Sequence, residues 1–184
     1  MTSAKFIAER QASALIDCLD ARQGITEVQI GRLPRVRIER DRLPTSGLSY
    51  WNGIDWVIVL NEDESPERQR FSLLHEYKHI IDHGRQHILY RTESEAERIA
   101  DYFAGCALMP KRELKHVFCT LTQDLGQIAA YFNVSLAAVR VRLEQTGLVD
   151  GGTFTRTPRC ARPIRTPQFR NQRFRPVPIT RSYS

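Results

Sequence analysis

Residues 68–84, RQRFSLLHEYKHIIDHG, place two histidines four apart, His75 and His79, with Glu76 directly after the first. On an α-helix, residues four apart are turned by about 40° and raised by about 6 Å, so both imidazoles can face one ion. Imidazole is a ligand that zinc favours. Glu76 lies in the intervening turn. From there it can take a proton from a water that zinc acidifies from about 16 to about 7, as that water attacks a carbonyl. The chemistry these residue types suggest is hydrolysis.

A catalytic zinc site usually has three protein ligands, so a third is required. His83 lies two turns beyond His75, about 12 Å along the axis, too far for one ion to bridge all three. The stretch TESEAERIADYFAG offers Glu93, Glu95, Glu97 and Asp101. Glu97 and Asp101 are one turn apart and share a flank with Ala100 and Ala104, whose small side chains permit close helix packing. Glu97 is therefore the expected third ligand, with Glu93 its rival. Asp101 is placed to accept the second ring N–H of a liganding histidine. A donor for the developing oxyanion is also needed, and Tyr102, His83, His87 and Tyr90 are the candidates.

These residues need a scaffold. Apolar positions from Phe6 to Leu19 recur at helical spacing, and VRIERDRL and LSYWNGIDWVIVLN alternate like strands, with Asn52-Gly53 suited to a two-residue hairpin turn. The motif itself falls on a helix predicted from about Glu67 to His83, stopped by Gly84. Thr92, with Glu95 three residues on, spells a capping box for a helix that runs to Pro110, and Pro110 opens a further short helix. Residues 122–148 read as two helices joined at NVS, a helix-turn-helix-like spelling, with Ser135 as N-cap and Gly147 as C-terminal stop. An extended substrate is expected to add along the sheet edge near Trp56 to Leu60.

A chain of 184 residues, 41% hydrophobic and 26% charged, suits one domain with a core plus a tail. Cys18, Cys106, Cys119 and Cys160 form no CxxC pair, which argues against cysteine-bound zinc and for reduced thiols. No stretch approaches the roughly 20 apolar residues of a membrane span, and the charged N-terminal stretch is unlike a signal peptide, so a cytoplasmic protein with no membrane contact is expected. The net charge of +6 is uneven: residues 150–184 hold eight arginines against Asp150 alone, leaving 19 basic and 20 acidic residues in 1–149. The tail is rich in Arg, Pro and Thr, without periodicity, and is predicted to be disordered. Its arginines, interleaved with Phe154, Phe169 and Phe174, suit a weak nucleic-acid contact. Arg140 and Arg142, on the second helix of the helix-turn-helix-like segment, could in principle face phosphate, although Leu136, Ala137 and Ala138 read no bases.

Three ordered stretches resemble the ImmA/IrrE family of metallo-endopeptidases. RQRFSLLHEYKHIIDH is similar to its active-site helix, EAERIADYFAGCALMP to its E-x-x-A-[ND]-x-F-A-x-x-L-L-M-P signature, and IAAYFNVSLAAVRVRLEQTGLV to its closing helix-turn-helix-like segment. With the hairpin, the resemblance covers about residues 50–149. It implies His75, His79 and Glu97 as ligands of one zinc ion and Glu76 as the catalytic base, in agreement with the spacing. Tyr77, Lys78 and Ala107 depart from the family pattern without removing a ligand. The resemblance further implies a cytoplasmic protease of mobile elements or stress operons whose substrate is a regulatory protein such as a helix-turn-helix repressor.

The expected fold is α+β: a zincin-like (gluzincin-like) core with a small antiparallel sheet and an active-site helix, forming a metallopeptidase domain over 1–149 that includes the 122–148 subregion, then the basic tail. The rival function is a non-catalytic repressor- or DNA-binding module, for example of a toxin-antitoxin or prophage operon, with a structural zinc. Glu76 discriminates, because a structural site has no use for a general base.

Overall fold

The structure is a computed structural model that describes residues 3–149. Helices α1 (Ser3–Leu19) and α2 (Glu27–Gly31) precede strands β1 (Val36–Asp41), β2 (Gly47–Trp51) and β3 (Trp56–Asn61). Helices α3 (Pro66–Ile81), α4 (Gln86–Leu89), α5 (Glu93–Leu108), α6 (Lys111–His116), α7 (Leu125–Phe132) and α8 (Leu136–Thr146) follow. The architecture is α+β.

The sheet order is β1-β3-β2. β3, WVIVLN, is buried over Val57–Leu60 and so takes the centre, where both faces and both edges are covered. β2 pairs with it antiparallel and β1 parallel, which corrects the expected antiparallel sheet to a mixed one. The cause lies in β1, VRIERD: its charges suit an edge, so the chain crosses to the opposite edge for β2 before turning back into the gap. That return is a four-residue connection, not a two-residue turn. The Asn52 side-chain oxygen accepts from the amides of Ile54 at 2.9 Å and Asp55 at 2.8 Å, and Gly53 supplies the positive φ of 101°.

Strand alternation decides what faces α3. Ile58 and Leu60 join the main core with Leu73, Leu74 and Phe103, whereas Leu48, Val57 and Val59 form a separate cluster. Gly47, Ser49 and Trp51 on β2, and Trp56 on β3, therefore share the face turned toward α3. α5 packs closely on α3 because Ala100, Ala104 and Ala107 are fully buried.

The predicted caps at Thr92, Ser135 and Gly147 form, whereas α3 ends at Ile81 with Asp82 as its C-cap, short of the expected stop at His83 and Gly84. Thr92 accepts from the Glu95 amide at 3.1 Å, although the Glu95 carboxylate takes the Arg91 amide at 2.9 Å and does not close the box. Ser135 caps α8 by accepting from Ala138, and Gly147 ends it at φ 71°. The helix expected after Pro110 is cut to six residues and continues as a wide π-type turn, Val117–Leu121. Arg70 of α3 donates to the carbonyls of Ile25 at 2.9 Å and of Phe132 and Asn133 at 2.6 and 3.2 Å, fastening the α7–α8 turn to α3. The tail, read above as disordered, lies outside the described residues. Among these, no helix is long and apolar enough to cross a membrane.

Candidate metal centre

α3 starts where Ser65 accepts from the Arg68 amide and Pro66 stands at the first turn. Its apolar face sinks Leu73 and Leu74 into the core, which sets the helix rotation so that His75, Glu76 and His79 point together into the gap beside β2 and α5. All three are buried, to between 3% and 8% exposure.

His75 Nε2 and His79 Nε2 are 3.2 Å apart. The Glu97 carboxylate reaches both, with Oε2 3.3 Å from His75 Nε2 and Oε1 3.4 Å from His79 Nε2. Two atoms bound to one tetrahedral zinc at 2.0–2.1 Å would lie about 3.3 Å apart, so the donor set has the size of a zinc site. Among the described residues, this trio is the group of His, Cys, Asp and Glu side chains that could hold an ion, and Glu93 is not part of it.

Asp101 Oδ1 lies 2.8 Å from His75 Nδ1. When Nδ1 donates to this carboxylate, Nε2 is left as the ligand atom. Burial works against a charged His75, but hydrogen bonds to Asp101 and Glu97, with the charges of Glu76 and Glu97, outweigh it and hold the pKa up at about 10. Three carboxylates around two imidazoles thus demand a cation. Without metal, a proton on His75 meets that demand.

Glu76 sits between the helix and β2, where the Ser49 hydroxyl donates to Oε2 at 3.0 Å. Gly47 leaves room for this approach: a Cβ there would stand 3.4 Å from Glu76 Cγ, about an ordinary contact, and a tighter 3.2 Å from the Val59 carbonyl oxygen. Sequence reasoning missed both residues. Their signal was the alternation of GLSYW, which puts the small residues of an edge strand on the face opposite the motif.

The expected oxyanion donors fall in different places. The Tyr102 hydroxyl donates to Glu9 on α1 at 3.2 Å, because it is turned about 100° past Asp101 around α5 and away from the trio. Tyr90 donates to Asp82. His87 is exposed on α4. His83 is also exposed, with its ring edge-on to Trp56 at 4.8 Å, on the α3-facing side of the sheet.

Lys78, inside the motif, points the other way. It is 1% exposed and paired with Asp82, and its Nζ lies 3.0 Å from the Tyr90 hydroxyl, while Gln11 donates to Asp82 at 3.3 Å. Burial pulls the Lys78 pKa down, and Asp82 opposes this. This network ties α1, α3 and the segment after α4 behind the site; the i,i+4 spacing of Lys78 and Asp82 was its readable signal. On α8, Arg142 is buried and donates to the Met109 carbonyl at 3.1 Å, so it is not available to phosphate.

Residues 36–144 match the family model described as Peptidase_M78: IrrE N-terminal-like domain. Among solved structures, a Mycobacterium tuberculosis transcriptional regulator shares the fold, with a TM-score of 0.61 and 20% identity over 76% of this chain and 46% of that one. The chain thus spans less than half of that regulator. No curated protein matches.

Proposed function

The chain belongs to the Peptidase_M78 family of IrrE N-terminal-like domains, and from that premise we propose that it is a cytoplasmic zinc-dependent endopeptidase that cuts a specific regulatory protein, such as a helix-turn-helix repressor. The observation that carries this reading is the convergence of His75, His79 and Glu97 at 3.2–3.4 Å beside a buried carboxylate that none of them needs as a ligand.

His75, His79 and Glu97 would hold the zinc ion, which when bound supplies a Lewis acid for the scissile carbonyl and lowers the pKa of water. The rest is done by the chain. Asp101 orients His75, and Ser49 fixes the plane of the Glu76 carboxylate. Glu76 takes a proton from the attacking water as its oxygen bonds to the carbonyl carbon, then delivers that proton to the amide nitrogen as the C–N bond breaks.

The substrate edge moves from the position expected above. β3 is paired on both sides, so Trp56–Leu60 has no open edge. β2 has no second strand beside it among the described residues and lies against Glu76, so an extended substrate would pair with Gly47–Trp51. The arginine-rich tail would hold the enzyme weakly near nucleic acid.

Purified zinc-loaded protein, incubated with candidate helix-turn-helix repressors, should cut one of them, and Glu76→Gln should bind zinc but not cut. Cutting by Glu76→Gln at the wild-type rate would sink the mechanism.

A further inference from the structure

The α3-facing side of β2 changes character along its length. Gly47 and Ser49, beside Glu76, are small. Two residues on, about 7 Å along the strand, stands Trp51. Its ring lies 5.6 Å from that of Trp56, tilted by 59°, and Trp56 meets His83 edge-on at 4.8 Å. The two tryptophans are only partly buried, and His83 is exposed. Large aromatic rings left partly in water beside an open strand edge gain by being covered.

We propose that Trp51, Trp56 and His83 form a specificity subsite, and that the substrate is an extended polypeptide carrying a large apolar or aromatic side chain there. This rests on the peptidase reading and on pairing along β2. The register fixes where the preference falls. A substrate residue opposite Ser49 lies beside Glu76. Its neighbour points to the other sheet face, and the residue two positions along, opposite Trp51, returns to the α3 side with its Cβ about 5 Å from that of Trp51. Selection therefore acts at a spacing of two from the residue beside Glu76, and not at the intervening one.

The test uses zinc-loaded full-length protein with degenerate peptide mixtures whose cleavage products are sequenced by mass spectrometry. Wild type should favour Phe, Trp or Leu over Gly at that single position by at least about tenfold, the value of burying such a side chain. Trp51→Phe should keep the preference and Trp51→Ala should bring it near unity. His83→Ala, at an exposed position where folding is not at stake, should reduce it severalfold. Cleavage without this preference, or with a preference that both Trp51→Ala and His83→Ala leave intact, overturns the proposal.

If no peptide is cut, the peptidase reading fails and the subsite is read separately by fluorescence. The chain has two tryptophans, both in the subsite, so emission excited selectively at tryptophan, beyond the absorption of its six tyrosines, reports on the subsite. A saturable emission change with a Phe-bearing peptide and none with its Gly counterpart sustains the subsite. Equal or absent responses overturn it.

Discussion

His75 carries the electrostatics of the centre. Its pKa, near 6.5 in an unfolded chain, is held at about 10 in the fold by Asp101 and Glu97 against the opposing pull of burial. Because the folded value is the higher one, the metal-free fold keeps a proton that the unfolded chain releases in between. That contribution is whole below about pH 6.5 and is lost as pH rises through about 10. The melting temperature of metal-free protein should therefore fall across this window, and Asp101→Asn should flatten the fall. An equal slope in wild type and variant would remove Asp101 as the cause. Ligand identity is tested by metal analysis: Glu97→Ala should leave zinc well below one per chain and Glu93→Ala should not. The candidate trio was partly legible in the sequence: helical spacing alone brings His75 to His79, and Glu97 stood out through its one-turn spacing from Asp101, while the meeting of the two helices came from packing. Ser49 was not, since its contact with Glu76 spans 27 positions and depends on which edge β2 occupies.

Among elements, α3 presents two buried ionic faces with different duties. One faces Glu97, and the other buries Lys78 with Asp82 and Tyr90. Removing one partner of a buried pair costs about 3–5 kcal/mol, whereas removing both charges costs less. Urea unfolding should show that order, with Lys78→Ala losing more than the double change Lys78→Met with Asp82→Leu. A double variant as unstable as the single would mean that packing, not charge, sets the cost. Helices were readable from periodicity and caps, as at Ser65, Thr92 and Ser135. The sheet was less so: alternation identified β1, β2 and β3 as strands, but neighbour order depends on which strand is apolar enough for the centre. Tyr102 was misjudged for a related reason, because sequence adjacency to Asp101 says nothing about a 100° turn toward α1.

At the scale of the whole molecule, the site is assembled from β2, α3 and α5, so an ion binding there should stabilise the fold. With free zinc at about 100 times its dissociation constant, linkage gives about 2.7 kcal/mol, a shift on the order of 5–10 °C for a chain of this size. Differential scanning calorimetry with and without a chelator should show it for wild type and not for Glu97→Ala. A wild-type melting temperature indifferent to chelation would leave the trio without a metal. The Arg70 guanidinium sets a limit of another kind. It closes loops of 45 and 62 positions onto the helix that carries the histidines, and its donors end on carbonyls at Ile25, Phe132 and Asn133. The two closing helices are thus not a detachable module. A gene fragment cut before Phe132, however intact its motif, would leave a largely desolvated cation with two of its three acceptors missing, so the smallest inheritable unit of this site extends well past the residues that line it.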